Sequence, residues 1–121
     1  METGLFIAES CCEVTDCTIS GHQLSNVELK GCLPGTLLRR CTIDGGEEAG
    51  VHCYDGGAPT LQHCIVRGNA MAGVAARDGS RPRLHDCVLE GGFEGGVLAM
   101  GAGTRPRLRD CIVQVMRAHK M

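Results

Sequence analysis

Five arginines recur at alternate positions beside two prolines, Pro82 and Pro106, in the last third of the sequence. They are Arg81, Arg83, Arg105, Arg107 and Arg109. A guanidinium presents a planar fork of N–H donors that matches carboxylate and phosphate oxygens. One interpretation is a solvated basic face, with Asp86 and Asp110 neutralising part of its charge. The functional alternative is a strip of partner-binding residues that docks an acidic peptide or another polyanion.

Five of the nine cysteines recur at intervals of 23 or 24 residues. This cysteine ladder consists of Cys17, Cys41, Cys64, Cys87 and Cys111. Metal sites gather their ligands around one point, often as C-x-x-C pairs, whereas this ladder has one spacing throughout. It predicts a row of small buried side chains, and we expect no metal and no cofactor. The odd cysteine count, and a start without a basic segment before an apolar run, predict free thiols and an intracellular, cytoplasmic protein.

The acidic residues and histidines carry weaker chemical signals. Asp55 and Asp78 occupy equivalent positions, and each precedes a glycine, which is typical of turns. A second row begins with Asp16 and contains two further aspartates, but Arg40 and His63 interrupt it. No catalytic constellation is predicted from these residues. The histidines form no pair with metal-ligand spacing, and we expect them to face solvent: His22, His52, His63, His85 and His119.

The composition limits the kind of core that 121 residues can build. The chain has no Trp, one Tyr and two Phe, but 18 Gly. It therefore favours thin layers of aliphatic and cysteine side chains joined by frequent glycine bends. A net charge of −2 argues against a general nucleic-acid binder. No apolar run reaches the roughly 18 residues that a membrane span needs.

The ladder interval is the period of a repeat that runs through the chain. An apolar residue precedes each ladder cysteine by three positions, at Val14, Leu38, Leu61, Leu84 and Leu108. An aliphatic residue follows each one by two positions, at Ile19, Ile43, Val66, Leu89 and Val113. Further upstream, a Gly-Val pair opens a stretch of alternating polarity. Val51 and Cys53, for example, are apolar and the residue between them is polar, which predicts a strand with one inward face. Pro59, Pro82 and Pro106 mark the turns that precede the next strand.

Helical and leucine-rich repeats do not fit this pattern. Several glycines in every copy disfavour a helix, and each copy has too few leucines for a leucine-rich horseshoe. A coil of two or three short strands remains, in which each strand pairs in parallel with its copy one coil away at ~4.8 Å. The sequence thus predicts an all-β solenoid of about five coils, 23–24 residues each, as a single domain over residues 1–121.

One copy of the repeat carries a family resemblance, with cysteine where the family has asparagine. It reads Leu84-His85-Asp86-Cys87-Val88-Leu89-Glu90-Gly91. It resembles the repeats of pectate-lyase-like proteins and of the F-box-only family with carbohydrate-binding-and-hydrolase-type repeats. The resemblance implies a right-handed parallel β-helix. It covers nearly the whole chain but specifies fold only, because such repeats occur in lyases, hydrolases and noncatalytic substrate receptors.

The repeat reaches both ends of the sequence, since Leu5 already occupies a repeat position and residues 112–116 read as a strand. Such a coil exposes its apolar layer unless something covers it. Three explanations stay open: a longer β-helix, end-to-end self-association, or a larger assembly. We expect another chain to cover at least one end, more readily the first coil around Leu5, Ile7 and Val14.

The leading hypothesis for function is a noncatalytic scaffold or protein-interaction module within a larger assembly. The alternative is a polysaccharide lyase or hydrolase-like domain, or its inactive remnant. Single-stranded nucleic acid is disfavoured because few aromatic residues could stack on bases.

Overall fold

The computed structural model describes residues 4–21, 25–92 and 95–115, which form short strands joined by turns and loops. The strands, in chain order, are β1 (Leu5–Ala8), β2 (Glu13–Thr15), β3 (Thr18–Ser20), β4 (Val27–Lys30), β5 (Leu37–Arg39), β6 (Thr42–Asp44), β7 (Val51–Tyr54), β8 (Thr60–Gln62), β9 (Ile65–Arg67), β10 (Ala72–Arg77), β11 (Arg83–His85), β12 (Val88–Gly91), β13 (Gly95–Met100), β14 (Arg107–Arg109) and β15 (Ile112–Val115). These residues contain no helix, so none of them builds a helix that could cross a membrane.

Three strands make one coil, and equivalent strands of successive coils form three parallel sheets. Sheet A has the order β1-β4-β7-β10-β13, sheet B β2-β5-β8-β11-β14, and sheet C β3-β6-β9-β12-β15. The register follows the repeat, since Leu84 pairs with Leu61 on one side and with Leu108 on the other. The predicted all-β parallel solenoid of about five coils is confirmed, with three strands per coil.

Turns with a positive φ separate sheet B from sheet C in every coil. The residue before each ladder cysteine has a φ between 52° and 58°, at Asp16, Arg40, His63, Asp86 and Asp110. Aspartate tolerates this left-handed conformation better than most residues. Asp55 and Asp78 occupy the turn after sheet A with φ of 55° and 56°, which confirms their interpretation as turn residues.

The core is a stack of thin aliphatic layers between the three sheets. Inward positions of the middle coils are almost fully buried, including Leu29, Leu38, Ile43, Val51, Leu61, Val66, Val74, Leu84 and Leu89. Shortening such a leucine to alanine typically costs about 2–5 kcal/mol. Because parallel coils lie only ~4.8 Å apart, aliphatic side chains fill these layers without any large aromatic ring.

The cysteine ladder points inward, as predicted. Cys41, Cys64 and Cys87 are each about 1% exposed, while Cys111 is half-buried and Cys17 is exposed. Cys64 Sγ lies 3.3 Å from the Leu38 carbonyl oxygen in the neighbouring coil and 3.4 Å from that of Gln62 in its own coil. All nine cysteines of the chain are free thiols.

A buried pair of asparagines joins two coils where sheet C leads into sheet A, and the repeat gave no sign of it. Asn26 Nδ2 donates to Asn69 Oδ1 at 2.9 Å, and the Gly46 N–H donates to the same oxygen at 2.8 Å. The pair needs a glycine between its members, because a Cβ at Gly46 would lie 2.9 Å from both asparagine atoms. We call Asn26 and Asn69 the asparagine bridge.

Apolar exposure is uneven along the solenoid. In the first coil Ile7 is only 4% exposed, and Leu5 and Val14 are half-buried. In the last coil Leu108 and Val113 occupy inner positions yet are 40% and 47% exposed. Among the described residues, the apolar layer is thus more open in the last coil than in the first.

Candidate anion-binding site

Four of the five predicted arginines gather at one corner of the solenoid. Arg83 and Arg107 are the first residues of β11 and β14 and pair directly in the register of sheet B. Arg81 and Arg105 come two residues earlier, before the prolines. Pro82 is buried between exposed Arg81 and Arg83, and this alternation puts both arginines on the outer face. Arg81, Arg83, Arg105 and Arg107 are called the arginine cluster below.

A continuous backbone ladder holds these four residues one coil apart. The Arg83 N–H donates to the Pro59 carbonyl at 2.9 Å, and the Arg107 N–H donates to the Pro82 carbonyl at 2.9 Å. The Arg105 N–H donates to the Ser80 carbonyl at 3.0 Å. Equivalent Cα atoms of the two coils are therefore separated by one strand spacing, ~4.8 Å.

Side-chain hydroxyls fix the turns that lead into the cluster. Ser80 is fully buried, and its Oγ donates to the Cys53 carbonyl at 3.1 Å. In the next coil Thr104 Oγ1 accepts from the Gly79 N–H and donates to the Met100 carbonyl, both at 2.8 Å. The backbone under the arginines is thus held rigidly, and only their side chains must be ordered when a ligand binds.

The four side chains line a recess of about 180 Å³ on the surface. None of them forms an ion pair with a carboxylate among the described residues. Two unit charges 4 Å apart repel by ~1 kcal/mol in bulk water and by ~4 kcal/mol at an effective dielectric constant of ~20. Within the described ranges, the recess thus concentrates positive charge that no carboxylate compensates, and an anion bound there would relieve the repulsion.

The fifth predicted residue, Arg109, does not line this recess. Its Nε lies 3.9 Å from Asp110 Oδ2, so a carboxylate already accompanies it. Asp86 was expected to neutralise part of the strip, but it lies beside histidines, 3.4 Å from His85 Nδ1 and 3.9 Å from His63 Nδ1. The cluster therefore keeps its charge.

Arginines elsewhere on the surface show the contrasting, paired arrangement. Arg40 binds both carboxylate oxygens of Asp16, at 2.7 and 3.0 Å. Its hydrogen bond holds the pKa of the Asp16 carboxyl below the ordinary value. Arg67 Nε lies 3.8 Å from Asp44 Oδ2. These exposed but accompanied arginines serve as natural controls for the cluster.

A second recess, of about 290 Å³, lies on the outer face of sheet A. Ala49 and Ala75 form an apolar part of its wall. The charged residues of the wall are Glu47, Glu48 and Arg77. Backbone hydrogen bonds between the loops that lead from sheet C to sheet A hold one side of the recess. For example, the Met71 N–H donates to the Glu48 carbonyl at 3.0 Å. Sequence reasoning missed this recess because these loops differ from coil to coil.

His52 contributes a ring to the second recess. It stacks on Tyr54 with 4.5 Å between ring centroids, and its Nε2 is buried without a hydrogen-bond partner among the described residues. Burial lowers the pKa of His52, so the imidazole is neutral near pH 7. We expected the histidines to face solvent. His63 is exposed, whereas His52 and His85 are half-buried. His22 and His119 lie outside the described residues.

The predicted acidic rows do not form a metal centre in the part of the chain that the structure describes. There, no group of three His, Cys, Asp or Glu side chains is arranged to hold a metal ion. The aspartates of both rows occupy turns, and Asp16 and Asp86 lie beside basic residues of neighbouring coils.

Taken together, the three in-register parallel sheets and the stacked inner layers define a parallel β-solenoid protein. The family model for the right-handed β-helix region matches residues 1–117, and the chain belongs to that family. No curated protein and no solved structure matches the chain. The family defines the fold, so the function has to be argued from the surface.

Proposed function

We propose that this β-helix is a noncatalytic scaffold or protein-interaction module whose arginine cluster binds an acidic segment of a protein partner. One observation carries the proposal: the four residues of the arginine cluster line a single recess and have no carboxylate partner among the described residues. Since natural surfaces usually intersperse charges of both signs, an uncompensated group of this kind favours a ligand of opposite charge.

The chemistry of arginine supports binding rather than catalysis. A guanidinium stays protonated throughout the physiological pH range and has no acceptor, so it cannot act as a general base. It supplies fixed charge and paired N–H donors, which suit recognition of carboxylates. The nine free thiols further support an intracellular setting for the interaction, because reducing compartments keep cysteines unpaired.

The expected affinity is modest. An exposed ion pair contributes about 0.2–1 kcal/mol, and charge-assisted hydrogen bonds contribute more where they are bidentate. An acidic segment that engages all four arginines would thus bind weakly at physiological salt and more tightly at low salt.

The test is fluorescence anisotropy with a labelled glutamate-rich peptide and a control peptide that has glutamine at the same positions. The double substitution Arg83→Gln and Arg107→Gln removes two charges from the cluster. The matched control, Arg40→Gln and Arg67→Gln, removes two charges from exposed arginines that have carboxylate partners. We expect the first variant to weaken binding about tenfold, or ~1.4 kcal/mol, and the second by less than about twofold. Equal losses would mean that net charge alone binds the peptide and would refute the site.

A carbohydrate-active role is the second candidate, and one observation favours it. Glu47, Glu48 and His52 line the same recess on sheet A, and a glycosidase needs a pair of carboxylates. The test is release of reducing sugar from acidic and neutral polysaccharides. Activity that disappears in the Glu47→Gln and Glu48→Gln variants would favour this role, and the absence of any release would remove it.

A further inference from the structure

We propose that the arginine cluster selects a phosphate monoester, carried by a phosphorylated side chain of the acidic partner segment, over the carboxylates around it. The inference rests on the proposed function, since it names the group that the same site prefers. Three features of the cluster support it: the short distances between its four residues, its positive charge and the single recess that all four line.

On the side of the preceding coil, the positive charge ends with Arg81 and Arg83. The positions equivalent to Arg81 and Arg83 in the preceding coil are Ala58 and Thr60. A surface that follows an extended polyanion would carry basic residues on successive coils along its path. The cluster does not continue onto the preceding coil, so its four arginines suit one compact group of high charge.

The four arginines stand at the corners of a small rectangle. Between Cα atoms, one side is the strand spacing of ~4.8 Å, and the other spans two residues, at most ~7 Å. All four side chains line the same recess, so their donors can reach one ligand group. A phosphate monoester has three terminal oxygens and a charge of about −1.5 to −2 at pH 7. A carboxylate has two oxygens and one charge, and therefore satisfies fewer of these donors.

The surroundings favour a monoester on a protein over the diester of a nucleic acid. A diester phosphate carries a single charge, and single-stranded nucleic acids also rely on aromatic side chains that stack on bases. Among the described residues, the aromatic side chains Phe6 and Tyr54 both belong to sheet A strands, whereas the cluster lies on sheet B and its preceding turn. The described neighbours of the cluster thus offer no phenyl or phenol ring for stacking.

The experiment compares labelled peptides that differ at one position, which holds phosphoserine, glutamate or serine within the same acidic sequence. We expect the phosphoserine peptide to bind at least about tenfold more tightly than the glutamate peptide, a difference of ~1.4 kcal/mol. This preference should shrink as the pH falls from about 7.5 to 5.5, because the second phosphate pKa is about 6. The glutamate peptide should change little over the same range.

Substitutions test whether the arginine cluster causes the preference for phosphoserine over glutamate. Arg83→Gln with Arg107→Gln should bring the phosphoserine and glutamate peptides to similar affinities, while Arg40→Gln with Arg67→Gln should keep their ratio. Arg83→Lys should weaken the phosphoserine peptide, because an ammonium lacks the two-donor fork. Circular dichroism of each variant checks that the β-helix is intact. A ratio unchanged in the cluster variant would overturn the assignment.

The remaining arms separate this inference from the proposed function. Equal binding of phosphoserine and glutamate peptides would overturn the phosphate preference and leave the acidic-segment proposal standing. Failure of both peptides to bind would refute both. If inorganic phosphate displaces the phosphopeptide with a dissociation constant equal to that of the phosphopeptide itself, the ligand is free phosphate and not a phosphorylated protein. A single-stranded oligonucleotide that binds as tightly as the phosphopeptide would show a general polyanion site and overturn the inference.

Discussion

The cysteine ladder takes the position that asparagine holds in the repeats that this sequence resembles. Each buried ladder thiol lies near two carbonyl oxygens, one in its own coil and one in the coil before it; for Cys87 these belong to His85 and Leu61, at 3.4 and 3.5 Å. The thiol is small and only a weak donor, so it behaves largely as an apolar residue of the inner layer. The ladder therefore tolerates little added volume and no isolated charge.

Replacing Cys64 by glutamate tests the energetic weight of this position. The new carboxylate would be buried without a cationic partner, and we expect a loss of several kcal/mol in the free energy of unfolding. Arg83→Gln on the surface should change it by less than about 0.5 kcal/mol. Urea unfolding followed by circular dichroism measures both. A Cys64→Glu protein as stable as Arg83→Gln would show that the ladder is not a packed inner row.

Thiol reactivity offers a second residue-scale prediction. Cys11, Cys12 and Cys17 are exposed, whereas Cys41, Cys64 and Cys87 are each about 1% exposed. Because a reagent must reach the sulfur atom, a thiol reagent at pH 8 should modify the exposed group rapidly and the buried ladder slowly. Denaturation without reductant should release all nine thiols. A shortfall of two or more in the total would reveal a disulfide and contradict the predicted reduced state.

The Asp16–Arg40 pair predicts a pH dependence. The hydrogen bond from Arg40 lowers the pKa of Asp16 in the folded state, so the pair stabilises the fold above the ordinary aspartate pKa. This contribution is lost as the pH falls through the lowered value. Arg40→Gln should raise the Asp16 pKa towards its ordinary value, as measured by NMR titration of the carboxyl carbon. An unchanged titration midpoint would mean that the pair does not persist in solution.

The recurring turn chemistry made individual strands predictable from the sequence. An apolar residue lies three positions before each ladder cysteine and an aliphatic residue two positions after it, and these fix the inward faces of sheets B and C. Pro59 ends the turn before β8. The repeat could not reveal features that break it. Asn26 precedes a sheet A strand and Asn69 follows a sheet C strand, so no alignment of coils pairs them. Their contact depends on the missing side chain at Gly46.

The candidate site was predictable to a similar extent. Alternation and the prolines placed Arg81, Arg83, Arg105 and Arg107 on one face, in two stacked pairs. The sequence could not show that Arg109 leaves the group, because that depends on how closely its side chain approaches Asp110. It also could not show the recess on sheet A, whose walls come from loops outside the repeat.

The asparagine bridge should be a stabilising contact between coils. Asn69→Ala removes the oxygen that accepts from Gly46 N and from Asn26 Nδ2. Each buried donor left without a partner costs about 1–3 kcal/mol, so we expect a loss of about 2–6 kcal/mol for the two donors. The exposed Glu47→Ala, on the same loop region, is the control and should change stability little. Equal urea midpoints for the two variants would show that water replaces the bridge at no cost.

At the scale of the whole molecule, the inner layer is not equally protected along the solenoid. Leu108 and Val113 belong to inward rows whose members in the middle coils, such as Leu61 and Val66, are fully buried. Edge strands also carry unpaired backbone groups that another strand can satisfy. Both features favour a second chain stacked on the last coil.

Sedimentation over a range of protein concentrations tests this association. Burying apolar surface contributes ~25 cal/mol per Å², so covering ~200 Å² of the last coil would contribute about 5 kcal/mol before the entropy of association is subtracted. We expect the 121-residue chain to self-associate, and Leu108→Lys to weaken that association. Ile65→Lys introduces the same charge at a residue that is 38% exposed on the outer face of sheet C, and it should leave association unchanged. Because a lysine at position 108 could also loosen its own coil, hydrogen exchange of β14 and β15 must be compared between the two variants. A concentration-independent monomer in which β14 and β15 are as well protected as the middle coils would show that the last coil is covered from within the chain.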